Sequence, residues 1–172
     1  VFKILLILSS LFGCQSLLAS LSGQWKVDNV ECYQKRSNKR LINEVATKFS
    51  QELKNKQSNT FFKISFKDKE IKFMMNNSFS DAQKDCLTEL SGDYKVIENK
   101  LLVVDFKAAK CTQENHCVKA CNTFKINKLK GLNRIYRYYV NNKILKLNRE
   151  IKSNHYCGAG SIESLSLKPV SK

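Results

Sequence analysis

The residues best suited to chemistry in this 172-residue chain are its seven cysteines and two histidines. Cys111, Cys117 and Cys121 cluster with His116, and His155 lies beside Cys157. Thiolates close to imidazoles are either soft-metal ligands or the parts of an activated nucleophile. The spacing C-x5-C-x3-C fits none of the usual zinc patterns, so no metal is expected. A Cys–His nucleophile would need a free thiol, and the N-terminal region argues against one. Ile4 to Phe12 form a short apolar run behind Lys3, followed by small and polar residues, the layout of a secretory signal rather than of a membrane span. Residues 1–20 are therefore read as a secretory or lipoprotein-type signal, and residues 21–172 as one exported domain. Cleavage near Ala19 or Ser20 competes with a lipoprotein-type site at Leu11-Phe12-Gly13-Cys14, where Cys14 would carry the lipid. The expected location is periplasmic or extracellular, or membrane-anchored if Cys14 is lipidated. Either way six cysteines remain, and an oxidising compartment favours three disulfides.

Two arginines are the other candidates. Arg134 to Val140 and Lys143 to Arg149 read as strands joined through Asn141-Asn142, two residues that accept the positive φ of a tight turn. That register pairs Tyr138 with Leu145, Tyr136 with Leu147 and Arg134 with Arg149. Tyr136, Tyr138, Leu145 and Leu147 then share the inward face, with the arginines at its rim. Two facing cations repel unless an anion or an aromatic ring intervenes. The rim is thus either a small anion site for a carboxylate or phosphate headgroup, or a pair of packed arginines with Trp25 as the nearest cation–π partner.

The elements that must hold these residues are short strands separated by local turns. Thr60 to Phe66 and Glu70 to Met75 flank Lys67-Asp68-Lys69, and Asp93 to Ile97 joins Lys100 to Phe106 through Glu98-Asn99. Gln24 to Val30, Thr123 to Asn127 and Ser161 to Leu167 complete nine candidate strands, an antiparallel barrel or sandwich. Between the first two strands, Leu41, Ile42, Val45, Ala46, Phe49 and Leu53 are spaced for one face of a helix over Lys39 to Lys56, expected to plug or flank a barrel end. Its neighbours Lys35, Arg36, Lys39, Arg40 and Lys48 would suit a membrane surface.

Register also suggests cysteine partners. A turn at Glu98-Asn99 makes cross-strand numbers sum to 197, pairing Tyr94 with Val103, Val96 with Leu101 and, by extension, Cys86 with Cys111. In a closed barrel the first and last strands are neighbours, which brings Cys32 near Cys157. Cys117 would then pair locally with Cys121, and exchanging Cys111 with Cys117 or Cys121 is the nearest rival.

Leu21-Ser22-Gly23-Gln24-Trp25, with Gly23-x-Trp25 opening the first strand of an exported all-β chain, resembles the lipocalin and wider calycin pattern, in which that Trp packs across the closed end of an up-and-down barrel. Gly92-x-Tyr94-x-Val96 and the Cys157-Gly158-x-Gly160 lead into the last strand look like those of small bacterial lipocalin-like proteins. The resemblance implies an all-β, up-and-down barrel of about eight to nine strands with one inserted amphipathic helix. It also implies a structural role for Trp25, with Arg149 the candidate to lie over it. The Thr-Asp-Tyr motif of many lipocalins is absent, and no long helix fits beyond Leu167.

In such a barrel Phe62, Ile64, Phe66, Tyr94, Val96, Arg134, Tyr136, Tyr138, Leu147 and Arg149 are candidate ligand-binding residues, and all but the arginines are equally the core of a filled barrel. The expected partner is a small apolar or amphipathic, possibly anionic, ligand. The alternative rests on the net charge of +15, which suits anionic lipid, polysaccharide or a protein partner at the cell envelope. No specific nucleic-acid recognition, no cofactor and a monomer are expected. No GxSxG elbow, HExxH helix, P-loop or dinucleotide fingerprint occurs, so an enzyme is not expected.

Overall fold

A computed structural model of the chain describes residues 21–76, 86–111, 117, 133–152 and 155–171. Nine strands run in chain order: β1 Gly23–Gln34, β2 Arg40–Leu41, β3 Phe61–Lys67, β4 Glu70–Asn76, β5 Leu87–Ile97, β6 Leu101–Cys111, β7 Asn133–Asn141, β8 Ile144–Glu150 and β9 Ser161–Pro169. Neighbours pair antiparallel, and β1 also pairs with β9, so β1 and β3 to β9 close an eight-stranded barrel. β2 is an additional two-residue strand on the far end of β1. The expected strand at Thr123–Asn127 lies outside the described residues.

Inward side chains come from period-2 alternation, reset where a bulge inserts a residue. On β1, Val27 faces Leu167 and Asn29 faces Ser166, so Asp28 is the extra residue. The inward set accordingly changes from Trp25 and Val27 to Val30 and Cys32, all buried. On β6 the extra residue is Lys107, between Gly92 facing Phe106 and Ser91 facing Ala108. Gly92 is required there, because a Cβ would sit 2.1 Å from the Asp105 carbonyl oxygen.

Two turns differ from the sequence-based registers. The β5–β6 loop takes three residues, Glu98 to Lys100, so Tyr94 faces Val104 and Val96 faces Leu102. The β7–β8 turn is Asn142-Lys143, both with positive φ, and Tyr138 faces Leu147. The second shift moves each partner by two, so Tyr136, Tyr138, Leu145 and Leu147 all stay inward and buried.

The helix, α1, spans Glu44–Lys54, shorter than the apolar spacing suggested. Arg40 and Leu41 are held in a pair with Tyr33 and Cys32. Asn43 caps the helix in an extended conformation, its side chain accepting from the Ala46 N–H at 2.9 Å. Leu41 and Ile42 therefore lie before the helix, and its buried face is Ala46, Phe49, Ser50 and Leu53, with Val45 exposed. β3 pairs with β1 only from Gly23 to Lys26 and β2 only at Cys32 and Tyr33, which leaves the middle of β1 without a strand on that side. α1 packs there. The Ser50 hydroxyl accepts from the Val30 N–H at 2.9 Å and donates to the Val30 carbonyl at 3.0 Å, satisfying groups that a strand would otherwise pair.

The cysteines partner differently from the register argument. Cys32 and Cys157 form one disulfide. Cys86 bonds Cys117, not Cys111, and Cys117 therefore does not pair with Cys121. The longer loop and the Lys107 bulge each shift the register by one, which sets Cys111 opposite Thr88, two residues past Cys86. Cys111 is itself disulfide-bonded, to a residue outside the described set.

Candidate functional site

The barrel has two unlike ends. At one, β1 begins, the tight turns at Asp68, Glu98 and Asn142 gather, and Trp25 closes the floor with its indole N–H donating to the Leu21 carbonyl at 3.0 Å. At the other lie α1, the two described disulfides and the connection from β8 to β9. The candidate ligand residues divide between core and rim. Ile64, Phe66, Tyr94, Tyr136, Tyr138 and Leu147 are buried in one apolar cluster, with Phe62 and Val96 half-buried against it. Phe73 on β4 contacts Phe106 on β6 at 5.3 Å between ring centroids and Tyr136 on β7 at 6.2 Å, while Phe62 lies 6.0 Å from Phe73. These rings come from four strands and meet in the barrel interior. Nearer the floor, Phe66 and Tyr94 meet edge to face at 5.2 Å.

The two arginines do not oppose one another. Arg134 faces inward beside Val104 and lies over the Phe106 ring at 5.2 Å; no carboxylate among the described residues reaches it. Arg149 does not lie over Trp25. β1 runs seven residues from Trp25 to Cys32, about 20 Å at strand rise, and Arg149 sits level with Cys32, across Glu163.

Around Arg149 is a buried polar cluster. Its Nε donates to Glu163 Oε2 at 2.5 Å. The Tyr156 hydroxyl donates a short hydrogen bond to Glu163 Oε1, and His155 Nε2 lies 3.3 Å from the same oxygen. His155 Nδ1 accepts from the Cys157 N–H at 3.3 Å. Arg149 Nη2 is 3.1 Å from that same Nε2. The backbone arrives here through Gly160, at φ 78, whose N–H donates to the Ile151 carbonyl. Asn43 Nδ2 donates to the Tyr156 carbonyl at 2.6 Å and ties the cap of α1 to the same loop.

Burial alone would raise the pKa of Glu163, but hydrogen bonds from His155 and Tyr156 and the Arg149 charge outweigh it and hold the carboxyl at about 2. Burial, then the adjacent carboxylate, pushes the Tyr156 phenol far up. Burial opposes the charge on Arg149 as well, yet Glu163 more than restores it, and its pKa rises. This arrangement fixes charges in place. A carboxylate with three donors is a weak base at neutral pH, and a phenol of raised pKa is a weak nucleophile.

The folded architecture is a closed, eight-stranded up-and-down antiparallel barrel with one helix after the first strand. No protein-family model matches the chain, and no curated protein matches it. Among solved structures, it is similar to a lipocalin-like protein from Bacteroides uniformis, with 11% identity over 87% of this chain and 98% of that one, at a TM-score of 0.43. A redesigned β-barrel is similar at 11% identity, over 90% and 96% of the two chains, with a TM-score of 0.44.

Glu163 and Tyr156 were not among the residues singled out from sequence, and His155 was singled out only beside Cys157, for metal or thiol chemistry. Parity was the available signal for Glu163. Leu165 and Leu167 face inward on β9, so Glu163 does too, and an inward acid beside an inward Arg149 on the neighbouring strand asks to be paired. The candidate lipidation site, Cys14, lies outside the described residues, as do Cys121 and His116.

Proposed function

We propose that the protein is an exported, non-catalytic binding protein that acts through its basic outer surface on an anionic component of the cell envelope. The observation that supports this reading is the burial of the barrel's inward side chains in one apolar cluster, among them the contacting rings from Phe62 through Phe73 and Phe106 to Tyr136. Two concavities are present among the described residues. One of about 380 Å³ sits between β1, β2 and α1, and one of about 480 Å³ is bordered by Lys26, Lys63 and Asn76. The net charge of +15 supplies the attraction, and the disulfides suit an oxidising compartment. The test is retention on anionic vesicles and on a sulfated polysaccharide matrix at low and high salt. Retention that falls steeply with salt supports the reading, since surface charges are screened over about 8 Å at physiological ionic strength. No retention on either at low salt refutes it.

One observation favours a second reading, a small amphipathic anion held at the barrel mouth. Arg134 points inward over Phe106 with no acidic partner among the described residues. Native mass spectrometry of protein from its own envelope distinguishes the two: a stoichiometric adduct lost on denaturation supports the mouth site, and an apo mass supports the surface.

A further inference from the structure

We propose that the β2–α1 corner is the part of the molecule that enters the membrane, with Ile42 and Val45 inserting among the headgroups of an anionic lipid surface. The inference rests on the surface-binding reading and adds to it the lipid and the place. Ile42 is 99% exposed and Val45 53% exposed. Single exposed apolar side chains are ordinary on protein surfaces; this pair is distinguished by how it is held and what surrounds it.

Three separate constraints keep Ile42 turned outward. On its N-terminal side Leu41 is paired with Cys32, which is joined to Cys157. On its C-terminal side Asn43 both caps α1 and donates to the Tyr156 carbonyl. The corner is thus pinned to β1, to the helix and to the β8–β9 connection, and Ile42 is presented to solvent from a fixed backbone. Ile42 borders a groove of about 380 Å³ whose other lining is mixed, Val30, Leu41 and Ala46 with Glu31, Arg40 and Thr47.

The charges around the corner complement a bilayer of anionic lipid. Residues 34–40 are exposed and carry four cations, Lys35, Arg36, Lys39 and Arg40. Lys35 is paired with Glu150 at 2.7 Å and Arg40 with Glu31 at 3.2 Å, while no carboxylate among the described residues pairs with Arg36 or Lys39. The exposed acid Glu44 stands between Ile42 and Val45, so cations outnumber acids from 35 to 45 by four to one; apolar side chains that follow a run of lysine and arginine match the headgroup boundary, where the chain tips accept the former and the phosphates the latter. A sulfated polysaccharide or a soluble anion would use the cations and leave Ile42 idle.

The experiment is co-sedimentation of the full protein with vesicles of phosphatidylcholine alone and of phosphatidylcholine mixed with phosphatidylglycerol. Wild type is compared with the double variant Ile42→Ser, Val45→Ser and with Arg36→Glu, Lys39→Glu. Both sites are exposed, and circular dichroism checks that each variant folds. The expected result is binding to the mixed vesicles only, weakened about tenfold or more by the serine pair, and by at least about fivefold for each charge removed. Ile42→Trp supplies an independent signal, a blue shift of the new indole on adding mixed vesicles. Vesicle binding that the serine pair leaves unchanged, with no shift at residue 42, overturns the corner while the surface reading survives. Binding to a sulfated polysaccharide but not to mixed vesicles also overturns the lipid assignment. Failure to bind either polyanion removes the surface reading itself.

Discussion

Replacing Glu163 with glutamine keeps the side chain's size and its place on β9 while deleting its charge. In the native protein the Glu163 side chain is 6% exposed and that of Arg149 17%, so the guanidinium would remain enclosed without its counter-charge. Removing one member of a buried pair costs about 3–5 kcal/mol. The titration of the carboxyl gives the same scale, since a fall from 4.5 to about 2 corresponds to about 3 kcal/mol. The folded value lies below the unfolded one. The stabilisation is therefore complete above about pH 5 and is lost as pH falls towards 2. Urea unfolding at a series of pH values, with disulfides intact, reads both effects. Wild type should lose about 3 kcal/mol more than Glu163→Gln between neutral pH and pH 2, and the variant should start lower by about that amount. Arg149→Met combined with Glu163→Leu should recover much of the loss, because an apolar pair leaves no lone charge. A Glu163→Gln protein within about 1 kcal/mol of wild type at neutral pH, or with the same pH slope, would refute the reasoning and make the cluster effectively solvent-screened.

Three further outcomes follow from the packing. Gly92→Ala places a methyl 2.1 Å from the Asp105 carbonyl oxygen, and its midpoint in urea should fall by the equivalent of at least about 2 kcal/mol; an unchanged midpoint would mean the β5–β6 bulge relaxes freely. The Tyr138 hydroxyl is buried with no hydrogen-bond partner among the described residues, so Tyr138→Phe should be neutral or raise the melting temperature, whereas a loss above about 1 kcal/mol would reveal a partner. Replacing both Cys32 and Cys157 with serine removes a link across 125 residues of sequence, and calorimetry should report a loss approaching about 5 kcal/mol.

Strand alternation carried the fold in the sequence because it survives small errors. A β7–β8 turn centred one residue later moves every partner by two and leaves each side chain on the same face, so Tyr136, Tyr138, Leu145 and Leu147 were legible as inward from either register. Pairings between particular side chains do not survive in that way. The same shift separates Arg134 from Arg149, and the extra residues at Lys100 and Lys107 carry Cys111 past Cys86. Bulges are placed by the fit of a whole strand against two neighbours, a non-local condition that a local turn motif does not encode.

The helix illustrates a different limit. Apolar spacing from Leu41 to Leu53 gathers residues that serve three purposes: Leu41 belongs to a strand pair, Ile42 and Val45 face solvent, and only Ala46, Phe49 and Leu53 enter the core. Periodicity registers all six alike, because it records hydrophobicity and not the surface against which each residue is pressed. What divides them is Asn43, whose cap begins the helix after Ile42. An asparagine at this point is the local sign that the residues before it lie outside the helix. Joining that cap to the cations on both sides turns an irregular stretch of amphipathic helix into two parts with distinct physical tasks. The later part closes the gap between β1 and β3, and the earlier part holds Ile42 in water from a pinned backbone.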